Sequence, residues 1–256
     1  MLYKNHKKTA ILLLSTLSIS IQAAHAGSSF SSSGQVNYTI NNITNQNNPG
    51  STDGLEIAAL FDLDANQSYS SSSGDGSFTI TPDQLNSVSL SPSAGSNFIQ
   101  TFQVYGDVNN GTVETYQLAL IDLNLANNSS SDIYDIEISL SYDLSSETLG
   151  DSGQSGVSID YYTDNDATSD FTGSELIETF SEPLSLNNAS LNSTDTLNFI
   201  LSPGSTHAIF SEIVIDGSLT AVPIPTAFWL FGSALAALPA LRKNQAIRKN
   251  IPGSAV

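Results

Sequence analysis

Four acids between positions 164 and 175 have the most chemically suggestive spacing in the chain. Asp164, Asp166 and Asp170, with Glu175 at the twelfth position, follow much of the ligand spacing of the calcium loop found in helix–loop–helix proteins. Ca²⁺ takes oxygen ligands, and carboxylates at alternate loop positions can converge on one ion. Ser169 stands where that loop needs glycine, and no helical pattern flanks it. The candidate is therefore a calcium loop in a non-helical domain, with Asp160 close by in sequence, weighed against a solvated acidic turn. A second series, Asp62, Asp64 and Asn66, starts correctly but reaches Ser73 where a bidentate acid is needed.

Other chemistry is less well supplied. Gly150-Asp151-Ser152-Gly153 resembles the nucleophile motif of chymotrypsin-like serine proteases. Those enzymes place the base and its orienting acid before the serine, whereas His207, the sole histidine between positions 27 and 221, follows it. Gln154 also replaces the second glycine of the pattern, so the segment reads as a turn. His207 shares strand parity with Ile209, Ile213 and Ile215, the placing of a core or strand-edge histidine. One histidine in residues 27–221 and no cysteine are too few for the usual zinc sites. A glycosidase pair needs two carboxylates about 5 to 9.5 Å apart, and spacing along the chain identifies no such pair. Sugar binding would draw on exposed aromatics, of which Tyr161-Tyr162 is the one adjacent pair before the C-terminal segment.

The charge pattern narrows the partners. Of 256 residues, 25 are Asp or Glu and 7 are Lys or Arg. All the acids fall between Gly27 and Ala221, and all the bases fall outside it, at Lys4, Lys7, Lys8, Arg242, Lys243, Arg248 and Lys249. The central region can form no Lys or Arg ion pair within itself. Such a surface repels polyanions, so nucleic acid is a poor candidate partner, and it suits cations or a salty external medium. With no cysteine, the region folds on packing alone, and its length supports one sizeable core.

The elements that would position these residues are strands. Val36, Tyr38 and Ile40 alternate with polar residues, as do Leu55, Ile57, Ala59, Phe61 and Leu63. From Ile133 to Leu144, Tyr134, Ile136, Ile138, Leu140, Tyr142 and Leu144 share one face, and polar residues share the other. Val157, Ile159 and Tyr161 make another strand, followed by runs at 175–180, 197–201 and 209–215. Asn110-Gly111 suits a tight turn and predicts a hairpin of 98–108 with 113–125, in which Phe98 faces Leu123, Phe102 faces Ala119 and Val108 faces Val113. The Ser-rich run at 68–76 reads as a strand-punctuating turn cluster. Some ten to twelve short strands predict an all-β, antiparallel β-sandwich, of which a jelly roll is one form; no fixed repeat supports a β-helix.

Both ends read as addressing signals. Residues 1–26 form a signal peptide, with a basic start, an apolar run from Ala10 to Ile21 and Ala24-His25-Ala26 as a small-x-small cleavage site. Residues 27–34 read as a flexible Ser-rich lead-in, and 35–221 as the acidic sandwich ectodomain. From Ala221 to Leu241 no residue is charged, and basic residues follow at once. About 20 apolar residues cross a bilayer core of ~30 Å, and Lys or Arg just beyond hold that end in the cytoplasm, so this stretch predicts one C-terminal transmembrane helix. Residues 244–256 form a basic cytoplasmic tail.

The segment VPIPTAFWLFGSALAALPALRK resembles the PEP-CTERM sorting signal of Gram-negative bacteria. Val222, Pro223 and Pro225 match its Pro-x-Pro head; Trp229, Leu230, Phe231, Gly232 and Ser233 match its hydrophobic core; Arg242 and Lys243 match its basic stop. Ile224 stands in place of the glutamate, and the chain runs thirteen residues past Lys243. The resemblance implies export, anchoring by the C-terminal helix and sorting by an exosortase that acts at the Pro-x-Pro region. It also implies a place at the cell surface or in a secreted, exopolysaccharide-associated matrix. The reading is a non-enzymatic structural protein with no obligatory cofactor. A Ca²⁺-dependent carbohydrate-binding module is the alternative, and a secreted hydrolase has the least support.

Overall fold

A computed structural model describes residues 27–82, 86–150, 152–164, 172–181 and 186–221. Twelve strands occur among them: β1 (Ser28–Asn45), β2 (Leu55–Leu63), β3 (Tyr69–Gly74), β4 (Ser77–Thr81), β5 (Asn86–Leu90), β6 (Asn97–Val108), β7 (Gly111–Asn127), β8 (Tyr134–Leu149), β9 (Gly153–Thr163), β10 (Thr172–Phe180), β11 (Leu186–Leu201) and β12 (Thr206–Ala221). One sheet runs β11-β8-β1-β6-β4, and the other runs β10-β9-β12-β7-β2-β5 with β3 also on β7. Each strand pair is antiparallel. The two sheets pack face to face as a β-sandwich.

Alternation explains the layers. In β8 every second residue from Tyr134 to Leu144 is buried, and Ile209, Ile213 and Ile215 do the same in β12. The inner faces meet in pairs across the core: Phe61 and Phe102 lie 6.1 Å apart, and Tyr142 and Tyr161 5.8 Å apart, both tilted. Tyr38 on β1 crosses between the sheets and shares a 2.7 Å hydrogen bond with Ser211 on β12. Burial pushes the Tyr38 phenol well above its ordinary pKa, so it stays neutral.

The flexible lead-in expected at 27–34 is instead, from Ser28 onward, the first half of β1. Phe30 anchors it, because Gly106 on β6 and Gly217 on β12 leave room for its ring; a Cβ on Gly217 would come 2.5 Å from Phe30 Cζ. Ser32 is fully buried, yet its hydroxyl bonds Ser146 at 2.9 Å and Ser155 at 2.6 Å. Serines that satisfy one another inside a sandwich lose the cost that otherwise keeps them at the surface.

The hairpin expected at Asn110-Gly111 does not form. β6 bonds β1 and β4 in one sheet, while β7 bonds β12, β2 and β3 in the other, so neither has an edge free for its neighbour. Phe98 lies opposite Tyr38, and Leu123 opposite Ala59 and Ile209. The chain crosses between layers at 109–110, beside a second crossing at Asp75 between β3 and β4. One Asp75 oxygen accepts the backbone N–H groups of Asn109 at 3.0 Å and Asn110 at 2.7 Å, which holds its carboxyl below the usual range. Gly111, at φ 136°, packs against the Ser73 carbonyl, where a Cβ has no room. The Ser-rich run therefore contributes a strand, β3, as well as a turn.

Candidate functional site

The predicted calcium loop is only partly within the described residues, since Asp166 and Asp170 lie outside them. Asp164 directly follows β9 with its carboxylate occupied: Oδ1 sits 3.1 Å from His207 Nδ1, and Oδ2 accepts the Ala208 backbone N–H at 3.0 Å. His207 is buried and tilts against Phe199 at 5.8 Å. Glu175 is exposed on β10 opposite Ile159, five residues along β9 from Asp164. At ~3.3 Å per residue that is roughly 16 Å, too far for both to ligate one ion. The structure brings Asp164 to a histidine, not to Glu175.

The second acidic series has a structural use. Asp64 Oδ1 accepts the N–H groups of Asn66 at 2.9 Å and Gln67 at 3.2 Å, and Oδ2 accepts Gln67 Nε2 at 2.9 Å. These bonds lower its pKa. β2 and β3 follow one another along the same side of β7, and this loop fills the gap: Asp64 N–H donates to the Leu118 carbonyl, and Ser68 Oγ accepts the Leu118 N–H.

Gly150-Asp151-Ser152-Gly153 joins β8 to β9, with Asp151 outside the described residues. The Ser152 carbonyl accepts the Thr220 N–H, thirteen residues along β12 from His207. That places the serine roughly 40 Å from His207. No triad can assemble from this pair.

A concentration of chemistry that sequence spacing did not reveal lies on the outer face of the seven-stranded sheet. Tyr162, Phe210 and Asp122 stand side by side on β9, β12 and β7, and the next row carries Asp160, Glu212 and Leu120. Two rows further on, Asp216 and Tyr116 are followed by Tyr69 on β3. Tyr162 and Phe210 stack with centroids 5.2 Å apart, and Tyr69 and Tyr116 stack at 5.8 Å with planes 7° apart. The Tyr162 hydroxyl donates to Glu212 Oε1 at 3.0 Å, and the Tyr69 hydroxyl to Glu114 Oε1 at 3.4 Å.

Among the described residues the acids here have no cationic neighbour. Burial, then Glu212 and Asp62, push the Asp122 carboxyl up; burial, then Glu178, push Asp216 up. Asp160 and Glu212 face each other directly across β9 and β12. Like charges so placed are destabilising. Among the described residues no three such groups converge in a way that could hold a metal ion. The face is an open sheet surface carrying carboxylates and ring edges.

Strand parity marks Tyr162, Phe210, Glu212 and Asp216 as outward-facing, but only the inter-strand register puts them together. Comparison with known protein families gives no match, and comparison with curated proteins gives none. The residues of the expected sorting signal, Val222 to Lys243, lie outside the described residues.

Proposed function

We propose that this chain is an exported, non-enzymatic surface or matrix protein, anchored by one C-terminal membrane helix and sorted by an exosortase acting at Pro223-Ile224-Pro225. The observation that carries the reading is the place of the signal next to the last described strand. β12, a strand paired on both sides, ends at Ala221, and the Val222-Pro223 head of the signal begins at the next residue. Cleavage there would remove the apolar segment and every remaining Lys and Arg and leave the twelve described strands in place.

An extended segment preceding Pro225 suits an enzyme that must grip a backbone just outside a membrane, because proline biases the residue before it away from helix. The separation of Asp164 from Glu175 weighs against the calcium-dependent alternative in its original form. The distance from Ser152 to His207 weighs against a serine hydrolase.

Mass spectrometry of the mature protein from its native host tests the proposal. The expected product begins at Gly27 and ends near Ala221. A chain that still carries Val256 would defeat the sorting reading.

A further inference from the structure

Resting on the matrix reading above, we infer that the outer face of the seven-stranded sheet binds an extended amino-sugar polysaccharide bearing free ammonium groups, through the Tyr162/Phe210 and Tyr69/Tyr116 ring pairs and the carboxylates around them. Three observations select this ligand chemistry.

The first is exposed ring surface where a stable sheet does not require it. Tyr162 is 41% and Tyr69 54% exposed, although each is stacked on a neighbour. Aromatic rings with a polar tip offer apolar surface and a hydrogen-bonding group together, which suits the alternating C–H faces and hydroxyls of a pyranose.

The second is spacing. Phe210 and Asp216 are six residues apart on β12, and the second ring pair lies in the Asp216 row, so the two pairs are separated by about 20 Å along the strands. The rows between them carry Glu212 with Asp160 and Val214 with Ser158. A flat strip of that length matches a chain of sugars better than one small molecule, which would need a pocket.

The third is charge. Asp122, Glu212 and Asp216 line the strip with no Lys or Arg anywhere in residues 27–221 to neutralise them. Anionic polymers are repelled, neutral polymers leave the acids uncompensated, and ammonium groups spaced along a sugar chain relieve them. A single metal ion fits less well, since the acids are spread along the strip and do not converge.

The test uses the full chain in detergent micelles, applied at about 0.15 M salt, where the Debye length is ~8 Å, to beads of partly de-N-acetylated chitin, fully acetylated chitin, alginate and polylysine. Retention is expected on the de-N-acetylated beads, with about tenfold weaker binding for Tyr162→Ser and for Glu212→Gln. Tyr69→Ser, on the exposed six-residue strand β3, is expected to weaken binding with the fold intact by circular dichroism. Absence of retention, equal retention on polylysine, or retention unchanged by both tyrosine variants would overturn the inference, the last two by showing mere charge attraction. Equal retention on acetylated chitin would overturn the ammonium requirement. A chain that binds but keeps Val256 would sink the sorting proposal alone; a correctly trimmed chain that does not bind would sink this inference alone.

Discussion

Tyr38 and Ser211 illustrate how single polar atoms hold the two layers in register. Both are fully buried, and the Tyr38 hydroxyl reaches Ser211 Oγ and, at 3.3 Å, the Ile121 carbonyl. Tyr38→Phe strands the serine hydroxyl, and the expected loss is about 1–3 kcal/mol in denaturant unfolding. Adding Ser211→Ala should recover much of it, because a matched apolar pair leaves nothing unsatisfied. Asp122 behaves in the opposite sense. Its folded pKa is raised, so its contribution to stability is full below the unfolded value of about 3.9 and is lost as pH rises through the folded value. Asp122→Asn should therefore raise the unfolding free energy at pH 7 by under about 1 kcal/mol after allowance for solvent screening, seen as a higher melting temperature, with the gain vanishing below about pH 4. Asp64 and Asp75, whose pKa values are lowered, stabilise the fold above about pH 3.9, and that support fades as pH falls through their folded values.

At the scale of elements, β1 depends on two missing side chains. Gly217→Ala would press a methyl group on the Phe30 ring, and overpacking of this kind is expected to cost about 1–3 kcal/mol, read from the denaturation midpoint. That dependence explains what the sequence could and could not disclose. Alternation in 36–40, 55–63, 134–144 and 209–215 identified strands and their buried faces, because each pattern is local. The first half of β1 was hidden because Ser32 is acceptable in a core only through partners 114 and 123 residues away. The turn at Asn110-Gly111 misled for a related reason: its local chemistry favours a hairpin, but Asp75 and the pairing of β7 with β2, β3 and β12 send the chain across the layers. The ring-and-carboxylate face was likewise beyond reach, since outward parity is local and register is not. Asp164 and Glu175 were near in sequence but are held apart by the antiparallel pairing of β9 with β10.

For the whole molecule, charge governs behaviour in solution. A region with 25 acids and no Lys or Arg repels itself, and the repulsion is screened over ~30 Å at 0.01 M salt but only ~8 Å at 0.15 M. The melting temperature should rise by several degrees between those conditions; a flat response would mean that the acids are too dispersed to matter. The start of β1 and the end of β12 lie at the same end of the sandwich: Ser28 lies opposite Val108, and Ala221 opposite Gly111, three residues further on. β12 is gripped by β7 along Thr206–Ala221 and by β9 along Ile209–Leu219. Ladder hydrogen bonds run perpendicular to the strands. Tension applied at Ala221 along β12 therefore loads both ladders in shear, so that many bonds bear the force together, whereas an edge strand peeled outward would open them one by one. A pull on this end of β12 would therefore be borne by the sandwich as a whole, a property of the strand order and not of any one contact.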